Sequence, residues 1–141
     1  NLAMANSNMW ATVGVHPDNE GVREPSLQDL LDGAARPKVV AIGETGLDYY
    51  QMDERKGGRT VADLEWQRER FRTHIRAARQ TALPLVIHTR QASDDTIAIL
   101  KEEGETGGQG VRAAYSIASP KASKWPGPLW TWVFTSLFRA S

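Results

Sequence analysis

The segment KVVAIGETGLDYY, residues 38–50, joins an apolar run to a group of polar side chains. Residues 39–42 are mostly β-branched, which predicts a strand that is buried on both faces. Gly43 interrupts this run, and the carboxylates of Glu44 and Asp48 follow it. Parallel strands end at the rim of a sheet, where binding sites are built. We therefore expect the rest of the chain to present Glu44 at a sheet rim.

The composition narrows the class of protein. The chain has 141 residues, a formal net charge of +0 and a pI of about 7.0, so charge alone does not indicate a nucleic-acid or acidic-membrane partner. There is no cysteine, which excludes disulfides and thiolate metal sites. No apolar run approaches the roughly 20 residues needed to span a bilayer, so we predict a cytoplasmic protein without membrane association. The chain starts without methionine or a signal-peptide core, and we expect it to be cut from something longer.

Segments typical of strands alternate with segments typical of helices. The predicted strands cover residues 9–15, 39–42 and 85–87, and the predicted helices cover residues 27–34, 61–81 and 95–103. This order predicts an α/β fold with a parallel sheet and right-handed crossovers.

A polar residue with useful chemistry follows each predicted strand: His16, Glu44 and His88. Such residues at one rim are typical of a β/α barrel site, and imidazole and carboxylate groups suit a divalent ion such as Zn, Mn or Mg. Other interpretations stay open from the residues alone. His88 could be a partly buried histidine bonded to backbone, and His16 a turn residue. Glu44 could be a loop carboxylate paired with an arginine such as Arg90.

The longest predicted helix, residues 61–81, has an apolar face and a basic face. The apolar face consists of Leu64, Phe71, Ile75, Ala78 and Ala82. The basic face predicts a solvated surface with carboxylate partners one turn away, and contact with a phosphate backbone is the alternative. His74 lies among the arginines and is predicted to be at the surface. Tyr49 and Tyr50 are predicted to be packing residues.

Four segments, in the same order, resemble the TatD family of metal-dependent hydrolases. They are GVHP at residues 14–17, AIGETGLDYY at 41–50, WQRERFRTHIRAARQTALP at 66–84 and PLVIHTRQASDDT at 84–96. The resemblance covers about residues 9–110. It implies a partial TIM-type (β/α) barrel of about three β/α units.

The resemblance also implies a function and a set of site residues. The function is deoxyribonuclease chemistry, 3′-exonuclease-like, in which the complete enzyme hydrolyses phosphodiester bonds of DNA with two divalent ions (Mg, Mn or Zn). Glu44 and His88 match catalytic metal ligands of the family. His16, Asp48 and Arg90 are assigned to substrate binding, with Arg90 on a phosphate.

The chain also departs from the family pattern. The family begins with a strand that carries an H-x-H ligand pair, and nothing before Asn8 supplies it. A third ligand histidine in an H-C-F motif and a later aspartate are missing too. A complete barrel of this type needs roughly 250 residues. We therefore expect this chain to be an incomplete, inactive piece with two exposed sheet edges.

Residues 111–141 do not continue the helix and strand periodicity of the preceding residues. We expect them to form an irregular segment that is separate from a domain at 1–110. We favour a reading-frame slip, because the neighbouring frame can encode GGVQHCFTESLEVARAALDLGFYISFSGI, the missing family continuation. Tryptophan has a single codon, so three positions are forced: Trp125 with Pro126 gives alanine, Trp130 with Thr131 gives aspartate, and Trp132 with Val133 gives glycine. All three fit. The alternative is a non-catalytic α/β module that binds a partner or membrane surface through this aromatic segment.

Overall fold

The computed structural model describes residues 2–5, 7–50, 60–105 and 113–117. The strands in these residues are β1 (Ala11–Val13), β2 (Val39–Asp48), β3 (Leu85–Arg90) and β4 (Ala113–Ile117). The helices are α1 (Leu2–Ala5), α2 (Leu27–Ala34), α3 (Glu65–Thr81) and α4 (Ser93–Glu105), and a 3-10 helix (Val61–Leu64) leads into α3.

The four strands run parallel in one sheet, in the order β1-β2-β3-β4. Among the described residues, α2 follows β1, α3 follows β2, and α4 follows β3. Consecutive parallel strands joined by helices are the arrangement of successive β/α units in a TIM-type barrel. The predicted α/β fold is confirmed, and the described residues add a fourth strand to the three that were predicted.

β2 is longer than the prediction, which ended the strand at Gly43. It continues to Asp48 because its pairing with β3 resumes after a register shift between Ile42 and Thr45. Across this shift β2 advances three residues while β3 advances two. A bulge of this kind re-aims the side chains within it, and Glu44 is one of the two residues inside.

Two glycines allow β2 to lie close to β3. Gly43 and Gly46 have φ angles of 137° and 135°, a region that side chains with a Cβ rarely adopt. A Cβ on Gly46 would overlap the carbonyl oxygen of His88, and a Cβ on Gly43 would lie 2.6 Å from the carbonyl oxygen of Val86. Glycine is therefore required at both positions for the two backbones to meet.

The apolar core lies between the sheet and α3. Its fully buried members are Ile42, Leu47, Leu64, Phe71, Ile75, Ala77, Leu85 and Ile87. The predicted apolar face of the helix is confirmed except at Ala82. That residue is exposed, because α3 ends at Thr81 and Ala82 takes a left-handed φ of 56°.

The basic face of α3 is only in part the solvated surface that was predicted. Arg68 pairs with Glu65 one turn away, as expected. Arg70, by contrast, is 3% exposed, and His74 is fully buried. The surface prediction for His74 is wrong, because the loop after β1 packs over this side of α3 and bonds to its ring.

β4 lies in the segment for which we expect an irregular structure. Its five residues form a regular parallel pairing with β3, in which Ser116 lies opposite His88. The other residues of the segment 111–141, including Trp125, Trp130 and Trp132, lie outside the described residues, so the domain boundary at 110 stays a prediction. Among the described helices, none is long and apolar enough to cross a membrane.

Candidate metal centre

Three side chains from the first three β/α units converge. His16 lies in the loop after β1, Glu44 in the bulge of β2, and His88 within β3. One possible ligand atom from each lies within 4.8 Å of the others. The rings of His16 and His88 meet edge to face, with centroids 4.5 Å apart. The convergence predicted for Glu44 and His88 is therefore present, but both lie within their strands and not past the strand ends, because β2 continues to Asp48 and β3 to Arg90.

Two carboxylates hold the ring of His88. Its Nε2 lies 2.9 Å from Oδ2 of Asp48, and its Nδ1 lies 3.4 Å from Oε1 of Glu44. The ring of His88 is thus held by carboxylates, and not by backbone as one alternative interpretation had it. Asp48 is buried, and its other oxygen, Oδ1, accepts the backbone N–H of Tyr50 at 3.0 Å.

The pKa values of the two histidines are shifted in opposite directions. Burial disfavours the imidazolium of His88, but hydrogen bonds to Asp48 and Glu44 outweigh burial and raise its pKa to about 9. Burial, together with the nearby His88, lowers the pKa of His16 below its ordinary value. At neutral pH the metal-free site therefore holds one charged and one neutral imidazole.

The donor set fits a divalent ion. Two imidazoles and a carboxylate are the ligands that borderline ions such as Zn²⁺ or Mn²⁺ accept, and three protein ligands leave a coordination position for water. Because Nε2 of His88 is engaged by Asp48, Nδ1 is the nitrogen that faces Glu44. A carboxylate behind a ligating histidine is a common means of fixing its ring.

His16 can also serve as a hydrogen-bond donor. Its Nδ1 accepts the backbone N–H of Asp18 at 3.1 Å, so the neutral ring carries its proton on Nε2. A ring in this tautomer suits a phosphate oxygen, whereas ligation through Nε2 requires the proton to shift to Nδ1, which breaks the bond from Asp18. The assignment of His16 to substrate binding stays a prediction.

Arg90 lies beside the cluster without entering it. Its guanidinium carbon is 3.4 Å from the centroid of the Tyr50 ring, and Arg90 pairs in register with Asp48. Tyr49 belongs to the core, as expected, and its hydroxyl donates to Asp95 at 2.7 Å. Arg90 is thus held on an aromatic face near the rim, next to the predicted metal ligands.

Sequence reasoning missed the residues that support the site from behind. Gln67 and Arg70 of α3 are buried and bond to the backbone around His16 and Asp48. Their spacing could have identified them, because polar residues at 67, 70 and 74 repeat with the helical period and so share one face of the helix. That row runs beside the apolar face.

Known proteins of one family resemble this chain in sequence and fold. A family model described as TatD-related DNase matches residues 1–127, a longer span than the 9–110 of the motifs. "Uncharacterized metal-dependent hydrolase YcfH" of Escherichia coli (strain K12) is 40% identical over 118 residues, which are 83% of this chain and 41% of that protein. "3'-5' ssDNA/RNA exonuclease TatD" of Klebsiella pneumoniae (strain 342) is 34% identical over 101 residues, 71% of this chain and 35% of its own length.

A solved structure has the same fold. The crystal structure of YJJV, a TatD homologue from Escherichia coli K12, superposes with a TM-score of 0.60 at 29% identity, covering 73% of this chain and 38% of that one. This chain therefore spans about two fifths of the proteins that it matches. On the family match, the relatives and the shared fold, the chain belongs to the TatD-related DNase family of metal-dependent hydrolases.

Proposed function

We propose that this chain supplies one part of a divalent-metal site with which the whole protein hydrolyses phosphodiester bonds of DNA. The observation that carries the proposal is the convergence of His16, Glu44 and His88 within 4.8 Å at the sheet rim. The name of the Klebsiella pneumoniae relative supports a nucleic-acid substrate. A cytoplasmic location and a second metal ion stay predictions.

Each residue has a role in this proposal. Glu44 and His88 would hold the ion, Glu44 through its carboxylate and His88 through Nδ1. A bound divalent ion polarises a phosphate oxygen and lowers the pKa of its water. His16 would either join Glu44 and His88 as a third ligand or donate its Nε2–H to a phosphate oxygen. Arg90 would add a second donor and a positive charge for the phosphate.

Metal binding is the first test. Titration of the chain with Mn²⁺ in a calorimeter should show a site that Glu44→Gln or His88→Ala weakens at least about 10-fold to 100-fold, because each change removes a ligand. The matched control is Glu69→Gln, which removes a carboxylate from the exposed face of α3. If all four proteins bind the ion equally, the assigned ligands are wrong.

The substrate is tested separately with a labelled single-stranded DNA. We expect the oligonucleotide to bind more tightly with Mn²⁺ than without it, and Arg90→Gln to weaken the complex more than Arg76→Gln. Equal binding with and without the ion would contradict a phosphate held at the metal site. Cleavage in these samples that Glu44→Gln abolishes would contradict the expectation that this chain is inactive.

A further inference from the structure

A row of buried polar side chains runs along one side of α3. Gln67 and His74 are fully buried, and Arg70 is 3% exposed. Their spacing of three and four residues places them above one another on one helix face. Buried groups of this kind cost stability unless their polar atoms are bonded. The identity of their partners therefore indicates what the row does.

The partners of the row are backbone atoms of three successive residues after β1. Nε2 of His74 accepts the N–H of Val15 at 2.9 Å, and Arg70 donates Nη1–H to the carbonyl of His16 at 2.8 Å. Gln67 donates Nε2–H to the carbonyl of Pro17 at 3.1 Å. The segment that carries His16 is thus bonded residue by residue to α3.

The same row reaches the end of β2. Oε1 of Gln67 accepts the N–H of Asp48 at 2.8 Å, so one side-chain amide joins the loop of His16 to the strand of Asp48. Arg70 is itself fixed by two hydrogen bonds to the carboxylate of Glu24. Asp48 in turn orients His88. No residue of the row belongs to the group of His16, Glu44 and His88.

We propose that Gln67, Arg70 and His74 are positioning residues, which set the separation of His16 from the Asp48–His88 pair and so preorganise the metal site. The inference rests on the proposed metal-binding function, with His16 as the third ligand. β1 has only three residues, so the loop beyond it gains little order from the sheet. Bonds to a rigid helix supply that order, and preorganised ligands need no rearrangement when the ion binds.

Two arginines of α3 make a matched pair of variants. Arg70 and Arg76 each form two hydrogen bonds to one carboxylate, but Arg70 alone of the two also bonds to His16. We expect Arg70→Met to weaken Mn²⁺ binding about tenfold, while Arg76→Met leaves it unchanged. Arg70→Lys keeps a donor for the His16 carbonyl and should recover most of the affinity. Affinity is measured on the folded protein, with urea unfolding alongside.

Two further measurements do not depend on the folding of the arginine variant. Gln67→Met removes the bridge between Pro17 and Asp48 and should weaken Mn²⁺ binding similarly. In the unaltered chain, the amides of Val15 and Asp48 should exchange with deuterium slowly, because each donates to a buried side chain of α3. Rapid exchange at both amides would overturn the inference.

The outcomes separate this inference from the proposed function. No Mn²⁺ binding by the unaltered chain would refute the metal site itself. Binding that Glu44→Gln abolishes, but that Arg70→Met and Gln67→Met leave intact, would overturn the positioning role alone. If Arg70→Met and Gln67→Met lower the free energy of unfolding but not the Mn²⁺ affinity, the positioning role is likewise overturned, because the row would then stabilise only the fold.

Discussion

His88 Nε2 lies 2.9 Å from Oδ2 of Asp48, and the two residues sit on neighbouring strands of the sheet. The other oxygen of Asp48 accepts the N–H of Tyr50, so the carboxylate cannot turn without losing a bond. This arrangement decides which ring nitrogen of His88 faces Glu44. Asp48 thereby acts on His88, a proposed metal ligand.

An Asp48→Asn variant should lose metal affinity although its side chain has the same shape. The amide oxygen would stay with the N–H of Tyr50, and the amide NH₂ would then donate to Nε2 of His88. The neutral ring would then carry its proton on Nδ1, the nitrogen that faces Glu44, and would have to give it up to bind the ion there. We expect Mn²⁺ affinity to fall by about 10-fold to 100-fold in calorimetry. Asp32→Asn, at an exposed position of α2, is the control, and equal affinities would disprove this role of Asp48.

A Gly46→Ala variant should be strongly destabilised. Gly46 has a φ of 135°, and an added Cβ would overlap the His88 carbonyl oxygen, so strain and collision add to about 3 kcal/mol of lost unfolding free energy. Urea denaturation measures the loss. Gly104→Ala is the control: it lies in α4 with open space around it, and alanine there should stabilise by about 0.5–1 kcal/mol. A stable Gly46→Ala protein would mean that β2 and β3 do not approach so closely.

His74 should stay neutral well below the pH at which an ordinary histidine is protonated. Burial lowers its pKa from 6.5 to about 4. In the fold Nδ1 donates to the carbonyl of Arg70, and Nε2 accepts the N–H of Val15. NMR titration of the ring should therefore show the Nδ1–H tautomer throughout this range, and a midpoint near 6.5 would refute the buried position.

The same shift makes stability depend on pH. The unfolded chain takes up a proton on His74 before the folded chain does, so this stabilisation is complete above pH 6.5 and is lost as the pH falls toward 4. The loss from this group is about 3 kcal/mol. The raised pKa of His88 changes the free energy of unfolding only above pH 6.5, which is outside this pH range. Urea unfolding of the unaltered chain and of His74→Gln at several pH values should show a smaller dependence in the variant.

The nucleotide sequence should encode the family continuation in the neighbouring frame after codon 110. Three tryptophan codons already force alanine, aspartate and glycine at the places where the continuation has them. Sequencing the gene tests the remaining positions. If the bases of those codons do not spell the string in that frame, the slip did not occur.

The sequence predicted those parts of the structure that depend on local pattern. The β-branched run before Gly43 predicted a strand. The rule that parallel strands end at one rim predicted that Glu44 and His88 lie close together. The extension of β2 to Asp48 was not predictable, because it depends on a bulge and on the close approach of β3. The burial of His74 was missed for a related reason: its partner Val15 lies 59 residues away along the chain.

The register between β3 and β4 relates the predicted frame slip to the candidate metal centre. Ser116 lies opposite His88 in that pairing. In the neighbouring frame, the last base of codon 116 and the first two of codon 117 spell CAT with a permitted choice of serine codon, and CAT encodes histidine. Restoring one nucleotide would therefore put a further imidazole on the strand beside His88, at the same level of the sheet. The loss of one base would then explain both the altered sequence of residues 111–141 and the absence of the histidine that the family pattern predicts.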